Sequence, residues 1–122
     1  MRGVFALVLS LFSWGALASG PSEWDWSIEE KTHCSEGPMM QMNECLAAEY
    51  RRTEHLLNIR YRALIESLAA TTDLRNSQRT WLRFRDATCK YEVSGIEVGG
   101  SAYPYTRNAC LIDLTKKRIR RY

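Results

Sequence analysis

Gln78-Arg79-Thr80-Trp81-Leu82-Arg83-Phe84-Arg85-Asp86-Ala87-Thr88-Cys89 decides how this chain folds. The stretch has no glycine or proline and holds the only tryptophan beyond residue 26. Leu74, Gln78, Trp81, Arg85 and Thr88/Cys89 recur every three or four residues, so they share one face of a helix. That face is half apolar and half polar. Gln and Arg on an inner stripe need hydrogen-bonding partners from another element, because an unpaired buried charge is strongly destabilising. The rest of the chain has to wrap around this helix.

Upstream, Gly37-Pro38 breaks the chain and a long helical pattern begins. Met42, Leu46, Tyr50, Thr53, Leu57, Tyr61, Leu64 and Leu68 step by four or three, an apolar stripe with no Gly or Pro inside it. Thr71-Thr72-Asp73 is an N-cap-like boundary before Leu74. Two helices joined so closely are antiparallel neighbours. Downstream, the helical pattern runs to about Val93, and Ser94-Gly95 and Gly99-Gly100 mark a loop. Ser101 then caps a third helix that tolerates Pro104 in its first turn. Tyr103, Arg107, Cys110, Leu114 and Lys117/Arg118 follow at helical spacing. No strand-like alternation, repeat or low-complexity segment is present. The reading is all-α: a three-helix arrangement with one long helix, a helical hairpin plus a third helix.

Residues 1–18 have the pattern of a signal peptide: Arg2, the apolar run Val4 to Phe12, and a small-x-small cleavage site at Ala16-Leu17-Ala18. That run falls well short of the ~20 apolar residues of a membrane span, so no transmembrane segment is expected after cleavage. Residues 19–36 form a polar lead-in and residues 37–122 the helical domain. Export gives the four cysteines their meaning. Cys34, Cys45, Cys89 and Cys110 in a small exported domain read as two disulfides. There is no Cys-x-x-Cys or His-x-x-x-His spacing, and His33 and His55 stand apart, so neither a metal nor a redox pair is expected.

The pairing follows from levels along the hairpin. With a turn near Thr72, Cys89 lies level with residue 55, ten residues from Cys45. Ten residues of helix span about 15 Å, whereas bonded cysteines need Cα atoms within roughly 7 Å. Cys110, on a helix that starts near the bottom of the second, lies further still from Cys45. Local closure is easier at both places. Gly37-Pro38 lets Cys34 fold back on Cys45, and the glycine-rich loop returns Cys110 to Cys89. The expected bonds are Cys34–Cys45 and Cys89–Cys110.

Charge is divided along the chain. Ser19 to Tyr50 carries seven acids against Lys31, and Arg51 onward carries fifteen Lys/Arg against seven acids. Such asymmetry marks either internal complementarity or an anion-facing surface, and solvated helix faces account for most of it. The lead-in holds a Trp24-Asp25-Trp26 cluster that is expected to lie back over its own core. If exposed instead, Glu23, Trp24 and Trp26 are candidates for binding a partner. Arg85 is expected to bridge helices through Glu54 and Asn58, which would set register and satisfy its donors. Catalysis is not expected. The sequence has no phosphate-binding glycine loop, no nucleophile elbow and no His beside a positioned acid. No cofactor and no nucleic-acid partner are expected either.

Met42-Asn43-x-Cys45, Leu57-Asn58-x-x-Tyr61, Gln78-Arg79-x-Trp81-Leu82-x-x-Arg85-Asp86-x-x-Cys89, Gly99-Gly100-Ser101, Cys110 and Thr115-x-x-Arg118 resemble the small exported bacterial domains of the lysozyme inhibitor LprI family. The resemblance covers Cys34 to Arg118, and the Gln-Arg-x-Trp…Arg-Asp-x-x-Cys block is its most specific part. The family usually has Asp where this chain has Glu54, and often Glu where it has Gln41. The resemblance implies a helical, disulfide-bonded, exported domain in the periplasm or outside the cell. It makes Glu54, Asn58, Tyr61, Gln78, Trp81 and Arg85 a structural core motif. It also implies a non-enzymatic protein-binding module, with a lysozyme-like muramidase or another envelope protein as partner. Because many lysozymes are basic, as this chain is overall, the acidic lead-in Glu23 to Glu36 is the segment suited to that contact. The alternative is an envelope-surface module whose basic C-terminal helix, through Lys116, Lys117 and Arg118, engages anionic polymer or lipid.

Overall fold

The computed structural model describes residues 33–122. A short 3-10 turn over His33–Ser35 leads into three helices: α1 over Met39–Ser67, α2 over Thr72–Glu92 and α3 over Ala102–Arg120. No strand occurs among the described residues. The fold is all-α, as the periodicity predicts. Residues 1–18, Glu23, Trp24 and Trp26 lie outside the described residues.

Each helix boundary has a local cause. Gly37 has φ of 91°, a left-handed conformation that glycine adopts without the Cβ penalty. A Cβ there would also sit 3.1 Å from Gln41 Oε1. Pro38 then occupies the N-cap of α1 with φ fixed at −61°. Thr71 and Ser101 stand at the N-caps of α2 and α3, yet neither side chain makes a capping hydrogen bond. Thr71 Oγ1 instead accepts from Arg75 Nε at 3.2 Å. Leu68, the last residue of the expected stripe, already lies past the end of α1 and is exposed.

The helices run up, down and up. Asn43 Nδ2 donates to Ser101 O at 2.9 Å at one end, and the Tyr61 and Tyr122 rings lie 6.4 Å apart toward the other, so α3 is parallel to α1. The bond Cys89–Cys110 and the contacts Arg85–Thr115 and Gln78–Arg118 make α3 antiparallel to α2. α1 and α2 are therefore antiparallel, but their backbones barely approach; α3 packs along both.

That position corrects the expected face of α3. Its buried residues are Cys110, Leu111, Ile112, Thr115 and Ile119, while Arg107 and Lys117 are exposed. Adjacent residues on a helix point about 100° apart, so Leu111 and Ile112 serve different neighbours. Ile112 packs with Cys34 and Leu46 beside Cys45, Tyr50 and Tyr105. Leu111 packs with Cys89 and Cys110 beside Tyr50 and Leu114. Tyr50 touches both clusters. Leu57, Leu111 and Ile119 are at most 2% exposed, each side chain contributing about 1.5–3 kcal/mol by burial.

The disulfides pair Cys34 with Cys45 and Cys89 with Cys110, with Cα separations of 5.3 and 5.6 Å. One fastens the entering chain to α1 and the other fastens α2 to α3. Each lies inside one of the two apolar clusters.

Candidate functional site

The polar stripe of α2 finds its partners on both other helices. Arg85 is 5% exposed. Its Nη1 donates to Glu54 Oε1 on α1 and, at 3.2 Å, to Thr115 Oγ1 on α3. Its Nε donates to Asp86 Oδ1 at 3.0 Å. Tyr50 OH donates to the same Glu54 oxygen at 3.2 Å. The guanidinium also lies 5.2 Å from the centre of the Trp81 ring and 5.9 Å from that of Tyr50, within cation–π range. One cation thus joins all three helices. Burial pulls the Arg85 guanidinium downward, but the Glu54 carboxylate, helped by Tyr50 and Asp86, outweighs it and holds the group above its ordinary range. Burial pushes the Tyr50 hydroxyl up; Arg85 opposes the shift and Glu54 adds to it.

A second network closes the far end of the α2–α3 contact. Arg118 Nε donates to Gln78 Oε1 at 3.2 Å and to Tyr122 OH at 3.1 Å, and its Nη2 donates to Ser77 Oγ at 2.9 Å. Tyr122 OH donates to Gln78 Oε1. The Arg118 guanidinium lies 4.8 Å from the Tyr122 ring and 5.5 Å from the Trp81 ring. Burial pushes the Tyr122 hydroxyl up against the opposing effect of Arg118.

These networks place most of the residues singled out in the sequence. Gln78 and Arg85 are buried, while Trp81, Glu54 and Tyr61 are partly covered. Asn58 is the correction. It is exposed, not beside Arg85, and its backbone oxygen accepts from Arg62 Nε at 3.4 Å. α1 ends at Ser67, so the hairpin turns earlier than Thr72 and Arg85 falls level with Glu54. Sequence reasoning missed Tyr50, Thr115 and Tyr122 as polar partners. Thr115-x-x-Arg118 carried the available signal, because its spacing aims both side chains at one neighbour.

The C-terminal cations divide. Lys116 pairs with Glu49 at 3.3 Å and has only 16% of its side chain exposed. Arg118 is committed to α2, and Lys117 pairs with Asp113 at the surface. Two of the three cations assigned to an anion-binding helix are thus engaged within the fold. Arg52 pairs with Glu49 as well, at 2.8 Å. Burial raises the Glu49 carboxyl, but Arg52 and Lys116 outweigh it and hold it below the usual carboxylate range.

A shallow groove of about 260 Å³ opens beside the Cys34–Cys45 bond, lined by Leu46, Tyr105, Ala109, Ile112, Asp113 and Lys116 among others. Among the described residues no three His, Cys, Asp or Glu side chains gather as a metal site. No helix among them is long and apolar enough to cross a membrane.

An uncharacterised protein of Rhizobium meliloti (strain 1021) is 33% identical over 95 residues, covering 65% of this chain and 67% of that protein. No solved structure matches. The sequence model of the family described as "Lysozyme inhibitor LprI" matches residues 32–121. That span takes in both disulfides, all three helices and every member of the two arginine networks except Tyr122, and the chain belongs to the lysozyme inhibitor LprI family.

Proposed function

We propose that this protein is an exported, non-enzymatic inhibitor that binds a lysozyme-like muramidase in the periplasm or outside the cell. Family membership over residues 32–121 carries the reading. Two disulfides in a domain of this size suit an oxidising compartment. A body pinned by two covalent bonds, the buried Arg85 network and the partly buried Arg118 network presents its surface with little ordering cost on association. That rigidity is what a stoichiometric inhibitor requires.

The lead-in Glu23 to Glu36, with Trp24 and Trp26, is the sequence's candidate for contact with a basic muramidase surface. The test is lysis of peptidoglycan by purified lysozyme, titrated with the chain from Ser19 onward and with a chain starting at Thr32. Slower lysis saturating at one inhibitor per enzyme is expected. If no muramidase in a panel is slowed at any ratio, the assignment fails. Equal inhibition by both chains would move the contact from the lead-in to the helical body.

A further inference from the structure

The outward side of α2 carries a row of cations that make no ion pair among the described residues. Arg75, Arg79 and Arg83 follow at intervals of four, and Lys90 lies two turns beyond Arg83. All four are exposed. The row spans about 22 Å at 1.5 Å per residue. Arg75 Nε is held by Thr71 Oγ1 at 3.2 Å. Arg79, Arg83 and Lys90 have no ion-pair partner among the described residues. The one acid on the strip, Asp86, already accepts from Arg85 at 3.0 Å. On the adjoining strip Phe84 is 56% and Tyr91 78% exposed, again two turns apart.

We infer that this face of α2 is the docking surface for the acidic substrate cleft of the muramidase, an inference that rests on the function proposed above. The charge complementarity is to the cleft alone, the basic outer surface of the enzyme being left to the acidic lead-in. A glycosidase cleft of this kind is built around two carboxyl groups that flank the scissile bond. A helix face bearing guanidinium groups is complementary to it in sign. Three of the four cations are arginine, whose planar fork binds carboxylates two bonds at a time. Phe84 and Tyr91 are the aromatic type enriched at protein interfaces, where lysine is depleted. A surface for anionic lipid or polymer would use lysine equally well, since there each cation acts as a point charge.

The test uses the chain from Ser19 onward, comparing wild type, Arg79→Glu/Arg83→Glu and Arg79→Lys/Arg83→Lys in lysozyme inhibition. Melting temperatures are expected to match, because neither side chain contacts the core. Charge reversal is expected to weaken inhibition roughly tenfold or more, and the lysine variant is expected to recover only part of it. Wild-type inhibition with an unchanged reversal variant would overturn the docking face and leave the inhibitor assignment standing. A wild type that inhibits no muramidase would remove that assignment and this inference with it. Full recovery by lysine, together with binding to phosphatidylglycerol vesicles that charge reversal abolishes, would overturn the inference in favour of a membrane surface.

Discussion

The guanidinium of Arg118 lies 5.5 Å from the centre of the Trp81 ring, and that of Arg85 lies 5.2 Å from the same ring. One indole on α2 thus contacts a cation from α3 and a cation from its own helix. Each cation is anchored elsewhere, Arg118 by Ser77 and Tyr122, Arg85 by Glu54 and Thr115. The tryptophan is a spacer that sets the distance between the two polar networks, so each network should be measurable through it.

Arg118→Ala is expected to destabilise the domain by about 1–3 kcal/mol, from one cation–π contact and several charge-assisted hydrogen bonds. Arg118→Lys should recover less than half of this, because a point charge cannot serve Ser77, Gln78 and the ring together. Urea unfolding followed by Trp81 fluorescence in a chain lacking Trp24 and Trp26 gives both values. An Arg118→Ala variant as stable as its parent would return this residue to the free surface.

Arg85→Ala should cost more, about 2–4 kcal/mol. Breaking a buried ion pair costs about 3–5 kcal/mol, and the 27% exposure of the Glu54 side chain reduces the effect here. Arg85→Met combined with Glu54→Leu should regain much of the loss, since it removes both charges and keeps the volume. A double variant no more stable than Arg85→Ala would locate the role of Arg85 in its contact with Trp81.

The helices were legible because their apolar residues keep helical spacing and Gly37-Pro38, Thr71 and the 94–101 loop punctuate them. The inner role of Arg85 was legible because it shares a stripe with Gln78 and Trp81. Its partner set was only half legible. A turn near Thr72 puts Arg85 level with residue 59, closer to Asn58 than to Glu54; α1 ends at Ser67, and moving the turn by two residues moves the opposing position by about four, onto Glu54. The burial of Leu111, Ile112, Thr115 and Ile119 was hidden for a different reason. A helix packed against two neighbours buries a wider arc than one stripe, and periodicity assumes a single partner. The α2 cation row was visible as spacing. Its lack of ion-pair partners among the described residues needed the structure, as did the engagement of Lys116 and Arg118.

Glu49 predicts how stability depends on pH. Its carboxyl is held below its ordinary value of 4.5 by Arg52 and Lys116, which outweigh burial. A carboxyl depressed in the folded state contributes stability that is present above its unfolded pKa. That contribution is lost as pH falls through the folded value. Urea midpoints should therefore decline below about pH 4.5, and Glu49→Gln should flatten that limb while lowering stability at neutral pH. Parallel acid limbs for the two proteins would show that Glu49 has the same pKa folded and unfolded.

The two disulfides should differ in what they hold. Cys34–Cys45 closes a separation of 11 residues and Cys89–Cys110 one of 21. In the chain-entropy account each contributes about 3 kcal/mol, with the longer loop ahead by about half a kcal/mol. Placement widens the difference. Cys34–Cys45 ties the His33–Ser35 turn to α1, whereas Cys89–Cys110 joins two helices whose contact also carries the Arg85 and Arg118 networks. Replacing Cys34 and Cys45 by Ala should leave amide protection along α2 and α3 close to that of the parent. Replacing Cys89 and Cys110 by Ala should lower the urea midpoint further and lose protection in α3 around Leu111 and Ile112. Hydrogen exchange read residue by residue decides between them, and α3 losing more protection in the Cys34/Cys45 variant would show that the entering turn, not the α2–α3 bond, secures the third helix.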